Sequence, residues 1–161
     1  FTSTDDGQVG DFSQYMDLVA ISYWRSSYDL GGTDIPIQNL NSDSTTGNYR
    51  AQMLYGGWAS VTSEIQNEEC GAFVVGDNSG ANIFSALIHH WFDINSGKYK
   101  SSIHQTGTTL DHANQGAPGW VGSVWYNTAP ITSITLTVQN GPLKAGSMTS
   151  LFGILPRMVT A

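Results

Sequence analysis

Charge and cysteine are what this chain has least of. Only 12% of its 161 residues are charged, about half of the roughly 25% usual in soluble proteins. Six Lys and Arg stand against 13 Asp and Glu, for a formal net charge of -7. Recognition of a phosphate backbone needs clustered basic side chains, so nucleic acid is not an expected partner. Only Lys98 and Lys100 stand close together, and they read as a solvated strand face. Cys70 is alone, which excludes an internal disulfide. It reads as a buried, inert side chain. The neighbouring Glu68 and Glu69 would raise its pKa, the wrong direction for a nucleophile. No apolar run approaches the roughly 20 residues that span a bilayer, so no membrane contact is expected. The opening Phe1-Thr2-Ser3-Thr4-Asp5-Asp6-Gly7 is neither a signal peptide nor a basic arm. The chain starts without Met, which leaves room for residues ahead of Phe1.

What is present is 40% hydrophobic and 11% aromatic residues, enough to order the chain. The length suits one domain. The apolar pattern is short and mostly of period two, the signature of half-buried strands. Ile134, Leu136 and Val138 alternate with Ser133, Thr135 and Thr137. Tyr49, Ala51, Met53 and Tyr55 alternate with Arg50 and Gln52. Met148, Ser150, Phe152 and Ile154 share a face. The segment 131–138 and the segment 148–154, separated by Asn140-Gly141-Pro142, predict a hairpin or adjacent pair. Residues 16–23 are apolar enough for burial on both faces, and 61–66 form a short amphipathic run. Residues 81–93 are a longer apolar segment read as a strand, though its length also suits a helix. In 98–106, Tyr99, Ser101 and Ile103 oppose Lys98, Lys100 and His104. Residues 120–126 are aromatic and β-rich.

Turn chemistry punctuates these segments at Gly31-Gly32, 41–47, Gly56-Gly57, 76–80, Gly107 and 114–119. Eight or so strands spaced this way predict an all-β, jelly-roll-like β-sandwich. The expected organisation is a polar arm over 1–10, a single sandwich domain over 11–155 and a tail over 156–161.

Few residues point to chemistry. His89 and His90 would face opposite sides of a strand, so they cannot share a metal and read as core or interface. His104, Asp111 and His112 offer a weak metal or acid–base set without the close spacing that zinc sites show. Asp77-Asn78-Ser79-Gly80 faintly resembles a calcium loop, but Ile88 stands where a closing Glu is needed. The loop reads as a β-turn. Glu64, Glu68 and Glu69 form no evident carboxylate pair across a cleft. No catalytic residue, metal site or cofactor is assigned. The aromatics Trp58, Trp91, Trp120, Trp125 and Tyr126 read mainly as core, then as interface or sugar-stacking surfaces. Trp120 follows Gly116-Ala117-Pro118-Gly119 and is the expected exposed one.

Four stretches resemble the virion structural proteins of tailed bacteriophages, a group of tail, adhesin and capsid-decorating members. They are 16–25, 37–49 with Asn41-Ser42-Asp43 and Thr46-Gly47-Asn48-Tyr49, 131–139, and Gly146-Ser147-Met148-Thr149-Ser150-Leu151-Phe152-Gly153-Ile154. In the last, Phe152 stands where the family has Tyr. Residues 81–93 and 98–106 sit where the family has two central strands. The resemblance implies a jelly-roll-like sandwich on the virion surface, bound to capsid or tail proteins and free of catalysis. The first reading is a capsid decoration or cement protein, a homo-oligomer for which a trimer at a three-fold position is favoured. Phe1, Asp5 and Asp6 would belong to an interface arm. In the alternative reading, a glycan-binding module of a tail or fibre, Trp120, Tyr126, Asn114 and Gln115 would contact the ligand. A polysaccharide hydrolase of the sandwich type, with two acids facing a cleft, is a third expectation.

Overall fold

Strict alternation of inward and outward residues builds this molecule. The computed structural model describes residues 1–4, 10–30, 32–57, 60–108 and 118–156. Its strands are β1 (Asp17–Trp24), β2 (Thr33–Asp34), β3 (Pro36–Leu40), β4 (Tyr49–Gly57), β5 (Ser60–Gln66), β6 (Val74–Val75), β7 (Ser85–Phe92), β8 (Lys100–Gly107), β9 (Gly119–Trp125), β10 (Ile134–Val138) and β11 (Met148–Ile154). Seven of them form one antiparallel sheet in the order β11-β1-β7-β8-β9-β4-β5, and two small sheets, β10-β3 and β2-β6, supply the other layer. The all-β sandwich expected from the sequence is what forms. No helix among the described residues is long and apolar enough to cross a membrane.

The core lies between the large sheet and the two small ones. Leu18, Ala20, Trp91 and Trp125 of the large sheet pack with Leu40 and Ile134 of β3 and β10. Trp24 and Leu87 pack with Val74 and Val138, and Ala51, Met53 and Val121 with Ala72. Burying an indole requires a partner for its N–H, and each buried tryptophan has one. Trp91 donates to Gln38 Oε1 at 2.6 Å, Trp24 to Thr149 Oγ1 at 2.8 Å and Trp125 to Asp43 Oδ2 at 2.8 Å. The Trp125 indole is the main reason the Asp43 carboxyl is lowered to about 2.

Four sequence expectations need correction. Residues 131–138 and 148–154 do not pair: β10 joins β3, and β11 joins β1 at the edge of the large sheet. The connection between them crosses from one layer to the other along Arg25–Ser27, held by Lys144 N to Arg25 O and Ser27 N to Pro142 O. The stretch 16–23 is not buried on both faces, because Ile21 and Tyr23 stand outward and exposed. The run 61–66 does form a strand, but β5 is a sheet edge, and both Val61 and Ile65 are exposed, the latter by 76%. Lys100 is not on a solvated face. It points inward at 2% exposure, and its ammonium donates to the carbonyls of Ser96 at 2.5 Å and Lys98 at 2.6 Å. Burial lowers its pKa. Loop carbonyls at the end of β8 make an inward cation tolerable there, whereas Lys98 remains outside.

The closing strand bears on one position where a side chain has no room. A Cβ on Gly153 would fall inside the Tyr15 ring, and Tyr15 packs against the main core cluster. We expect Gly153→Ala to cost about 1–3 kcal/mol in urea denaturation by displacing that ring. In a Tyr15→Ala background the same change should cost little, a non-additivity that a double-mutant cycle reads directly.

Candidate functional site

The inward face of the large sheet carries an unusual load of polar side chains. His89 on β7 and His104 on β8 are register partners, both fully buried, with their Nδ1 atoms 3.1 Å apart. His104 Nε2 lies 2.9 Å from Ser102 Oγ and 3.2 Å from Ser123 Oγ. The two hydroxyls are 2.6 Å from each other. Gln38 of β3 reaches across the layers and donates from Nε2 to Ser123 Oγ at 3.1 Å.

Donor and acceptor counting orders this chain. The Trp91 indole donates to Gln38 Oε1, which turns the amide nitrogen to Ser123. Ser123 then accepts from Gln38 and gives its own proton onward. His104 Nε2 accepts from the serine pair, so its proton sits on Nδ1 and is donated to His89 Nδ1. The His89 proton is left on Nε2, beside the Cys70 backbone but without a partner at full hydrogen-bond geometry. Burial lowers the His89 pKa to about 4, and burial, then the neighbouring His89, holds that of His104 well below its ordinary value. Both imidazoles are neutral at neutral pH. The Cys70 thiol is raised by burial and then by Glu69, the direction the sequence suggests.

The loop that faintly resembles a calcium site holds a guanidinium instead. The buried Arg25 donates to the carbonyls of Asp77 at 3.0 Å and Ser79 at 2.7 Å, and to that of Gly80. Asp77 pairs with Lys144 and, at 3.4 Å, with Arg25. Those two cations, Lys144 first, hold the Asp77 carboxyl below its usual range. The carbonyls of this loop that a metal would use are taken by Arg25. Among the described residues, no group of three or more His, Cys, Asp or Glu is placed to hold a metal ion.

The outward face of the same sheet carries large apolar side chains of its own. From register, it carries two formally charged side chains, Asp17 and Arg50. Asp17 is buried and bound to His90 Nε2 at 2.9 Å, and Arg50 sits near the β5 edge, 2.5 Å from Asn67. Met148, Phe152 and Tyr23 form one bulky ridge, and Trp120 with Leu54 forms another. Ile88 and Ile103 lie between them among Ala86, Gln105 and Gly122. Each of these seven large side chains is 44–61% exposed, from Ile88 and Leu54 to Met148, and exposed apolar surface on this scale marks a contact site.

No family model, curated protein or solved structure matches this chain.

The residues singled out from sequence scatter. Trp120 is 51% exposed on the outward face. Tyr126 follows the opposite end of β9, its ring edge-on to Tyr99 at 5.5 Å, so the two do not share one site. Asn114 and Gln115 lie outside the described residues, as do Trp58, Asp111, His112, Asp5 and Asp6. Phe1 is pinned to its own chain: its nitrogen donates to Ile134 O at 2.8 Å, and Thr2 bridges Ser133. Glu64 accepts from Tyr55 Oη at 2.9 Å, and Glu69 from Asn67 N at 2.5 Å. His89 and His90 do face opposite sides. Sequence reasoning missed the pairing of His89 with His104 across two strands. The available signal was phase, since Trp91 shares the His89 face and fixes it inward.

Acid sensitivity follows from the buried imidazoles. In the unfolded chain both titrate near the ordinary 6.5. The unfolded state therefore binds more protons than the fold between that value and the depressed ones, and stability falls as pH drops from about 6.5 towards 4. We expect His104→Gln to reduce this slope by about one proton, measured as unfolding free energy against pH in urea.

Proposed function

We propose that this chain is a non-enzymatic structural protein of a phage particle surface, a decoration or cement protein seated on the capsid. The observation that carries the reading is the sparsely charged outward face of the seven-stranded sheet, with its exposed large apolar side chains. A sandwich fold needs only the inward face of a sheet to be apolar. Here large apolar side chains also stand on the outward face, although several inward places are held by serines, a threonine and histidines, an arrangement with no use in an isolated molecule. Apolar surface of this extent marks a site of contact with another macromolecule.

The buried network supports the same reading. An acid–base residue must pass a proton to a substrate, and neither ring of the His89–His104 pair meets solvent. Each is engaged in holding the layers together. The resemblance of the 16–25, 37–49, 131–139 and 146–154 stretches to virion proteins supplies the setting. Several modest contacts repeated over a particle would then act together through high effective concentration.

One observation favours a second reading, a glycan-binding module of a tail or fibre. Trp120 presents its ring outward beside the open space over Gly122, with Gln105 as its cross-strand neighbour. That combination of a stacking face and an amide suits a sugar ring.

Two measurements separate the readings. For the decoration protein, we expect Ile88→Lys with Ile103→Lys to reduce occupancy on purified particles at least ten-fold, scored by gel densitometry against the shell protein, while Thr135→Lys on the other layer leaves occupancy unchanged. Equal occupancy for all three proteins would remove the reading. For the glycan module, the unaltered chain should bind on a glycan array and Trp120→Ala should not.

A further inference from the structure

We propose that the outward face of the large sheet is closed by a second copy of this chain, the two sheets stacked face to face about a two-fold axis. This rests on the contact-surface reading above and names the occupant of that surface.

Area is the first argument. Seven large apolar side chains of the face are each 44–61% exposed, enough to supply much of the roughly 800 Å² per partner of a standard specific interface. A pair would take them out of water together.

Charge is the second. The chain carries a net charge of -7, so two copies repel on most approaches. The full chain has 13 acidic and 6 basic side chains, and among the described residues only Asp17 and Arg50 lie on this face by register. Asp17 is buried and already hydrogen-bonded to His90, and Arg50 lies towards the β5 side. This is the side on which two like-charged copies can meet without bringing acids together. An unlike partner is usually selected by a complementary charge pattern, and the face offers none.

Shape is the third. Sheets pack face to face at about 10 Å with interdigitating side chains. Ridges at β11-β1 and β9-β4 flank a lower strip at Ala86, Gln105, Gly107 and Gly122, all exposed, which gives one copy's bulky residues somewhere to seat. A two-fold pair needs only this one patch, self-complementary. A ring such as a trimer needs two different complementary patches. The outward side of the small sheet, with Asn39, Thr135 and Thr137 beside Ile37, is not a second apolar face.

The test is the mass of the full chain in solution, by sedimentation velocity from 1 to 100 μM. We expect a species of twice the 17.4 kDa chain mass that Ile88→Lys with Ile103→Lys converts to single chains. Thr135→Lys should leave it intact. Trp120→Glu, at an already exposed position, should weaken the pair roughly ten-fold or more, as loss of a buried interface tryptophan does. The unaltered protein decides the matter even where a variant folds poorly: a single-chain mass at every concentration overturns the inference, and so does a three-chain mass. A pair that survives both lysines overturns the assignment of the face. Single chains that still need Ile88 and Ile103 to occupy particles would sink this inference and leave the decoration reading standing. A pair that never associates with particles would sink only the decoration reading.

Discussion

The hydrogen-bonded chain from Gln38 through Ser123, Ser102 and His104 to His89 is the constraint on which the rest of the sandwich depends. It ties a strand of the small sheet to three neighbouring strands of the large one. Buried polar groups cost free energy unless each finds its partner, and a network in which almost every member is satisfied specifies one arrangement. A one-residue slip of β8 against β7 would turn His104 and Ser102 outward and take from the buried His89 and Ser123 the partners they now have. Hydrophobic burial alone would not penalise that slip strongly, because Ile103 could take the inward place. The polar chain sets the register that the apolar pattern leaves open.

That ambiguity has a physical source. On β7, β8 and β1 the outward residues are about as apolar as the inward ones. Ile88 stands opposite in phase to His89, Ile103 to His104 and Ile21 to Ser22. A sheet of this kind has two candidate insides. The tryptophans choose between them: Trp24, Trp91 and Trp125 are in the inward phase, too large to leave in water, each with an acceptor for its indole proton. Once they are placed, the histidines and serines must follow them into the core, and the isoleucines must face out. The outward apolar face is thus tied to the polar inside.

This explains which parts of the structure were legible in the sequence. Strands with one clearly polar side, such as 49–55 and 134–138, show their inward residues by alternation alone. The opposite placement of His89 and His90 needs only the period of a strand. Exposure of Trp120 follows from its place after a Gly- and Pro-rich loop. What was not legible is what depends on a partner distant in sequence. The inward turn of Lys100 depends on the carbonyls of Ser96 and Lys98 at a strand end. The separation of β10 from β11 depends on a crossing that runs beside Arg25. The meeting of His89 with His104 depends on register between two strands, and 14 residues lie between them. The faint calcium-loop pattern at 77–80 was a real clustering of carbonyl oxygens, but the cation at its centre is Arg25, and nothing local to that loop says so.

Exposed apolar sheet surface carries a hazard as well as a use, since it invites uncontrolled association. Two features limit growth beyond a pair. The charge that is absent from the outward face is concentrated elsewhere, so once two such faces are joined, the surfaces left in water belong to an assembly carrying twice the negative charge of one chain. Repulsion among such assemblies opposes further stacking. The second limit is geometric, since a two-fold contact uses the same patch on both copies and leaves none free. The β5 edge, with Val61 and Ile65 exposed, has neither Lys nor Pro within it and Glu64 as its one charge, a modest protection for a free strand. It lies directly beside the Trp120 and Leu54 ridge. A partner seated on the outward face would overhang that edge and shield it, so one contact would remove both liabilities.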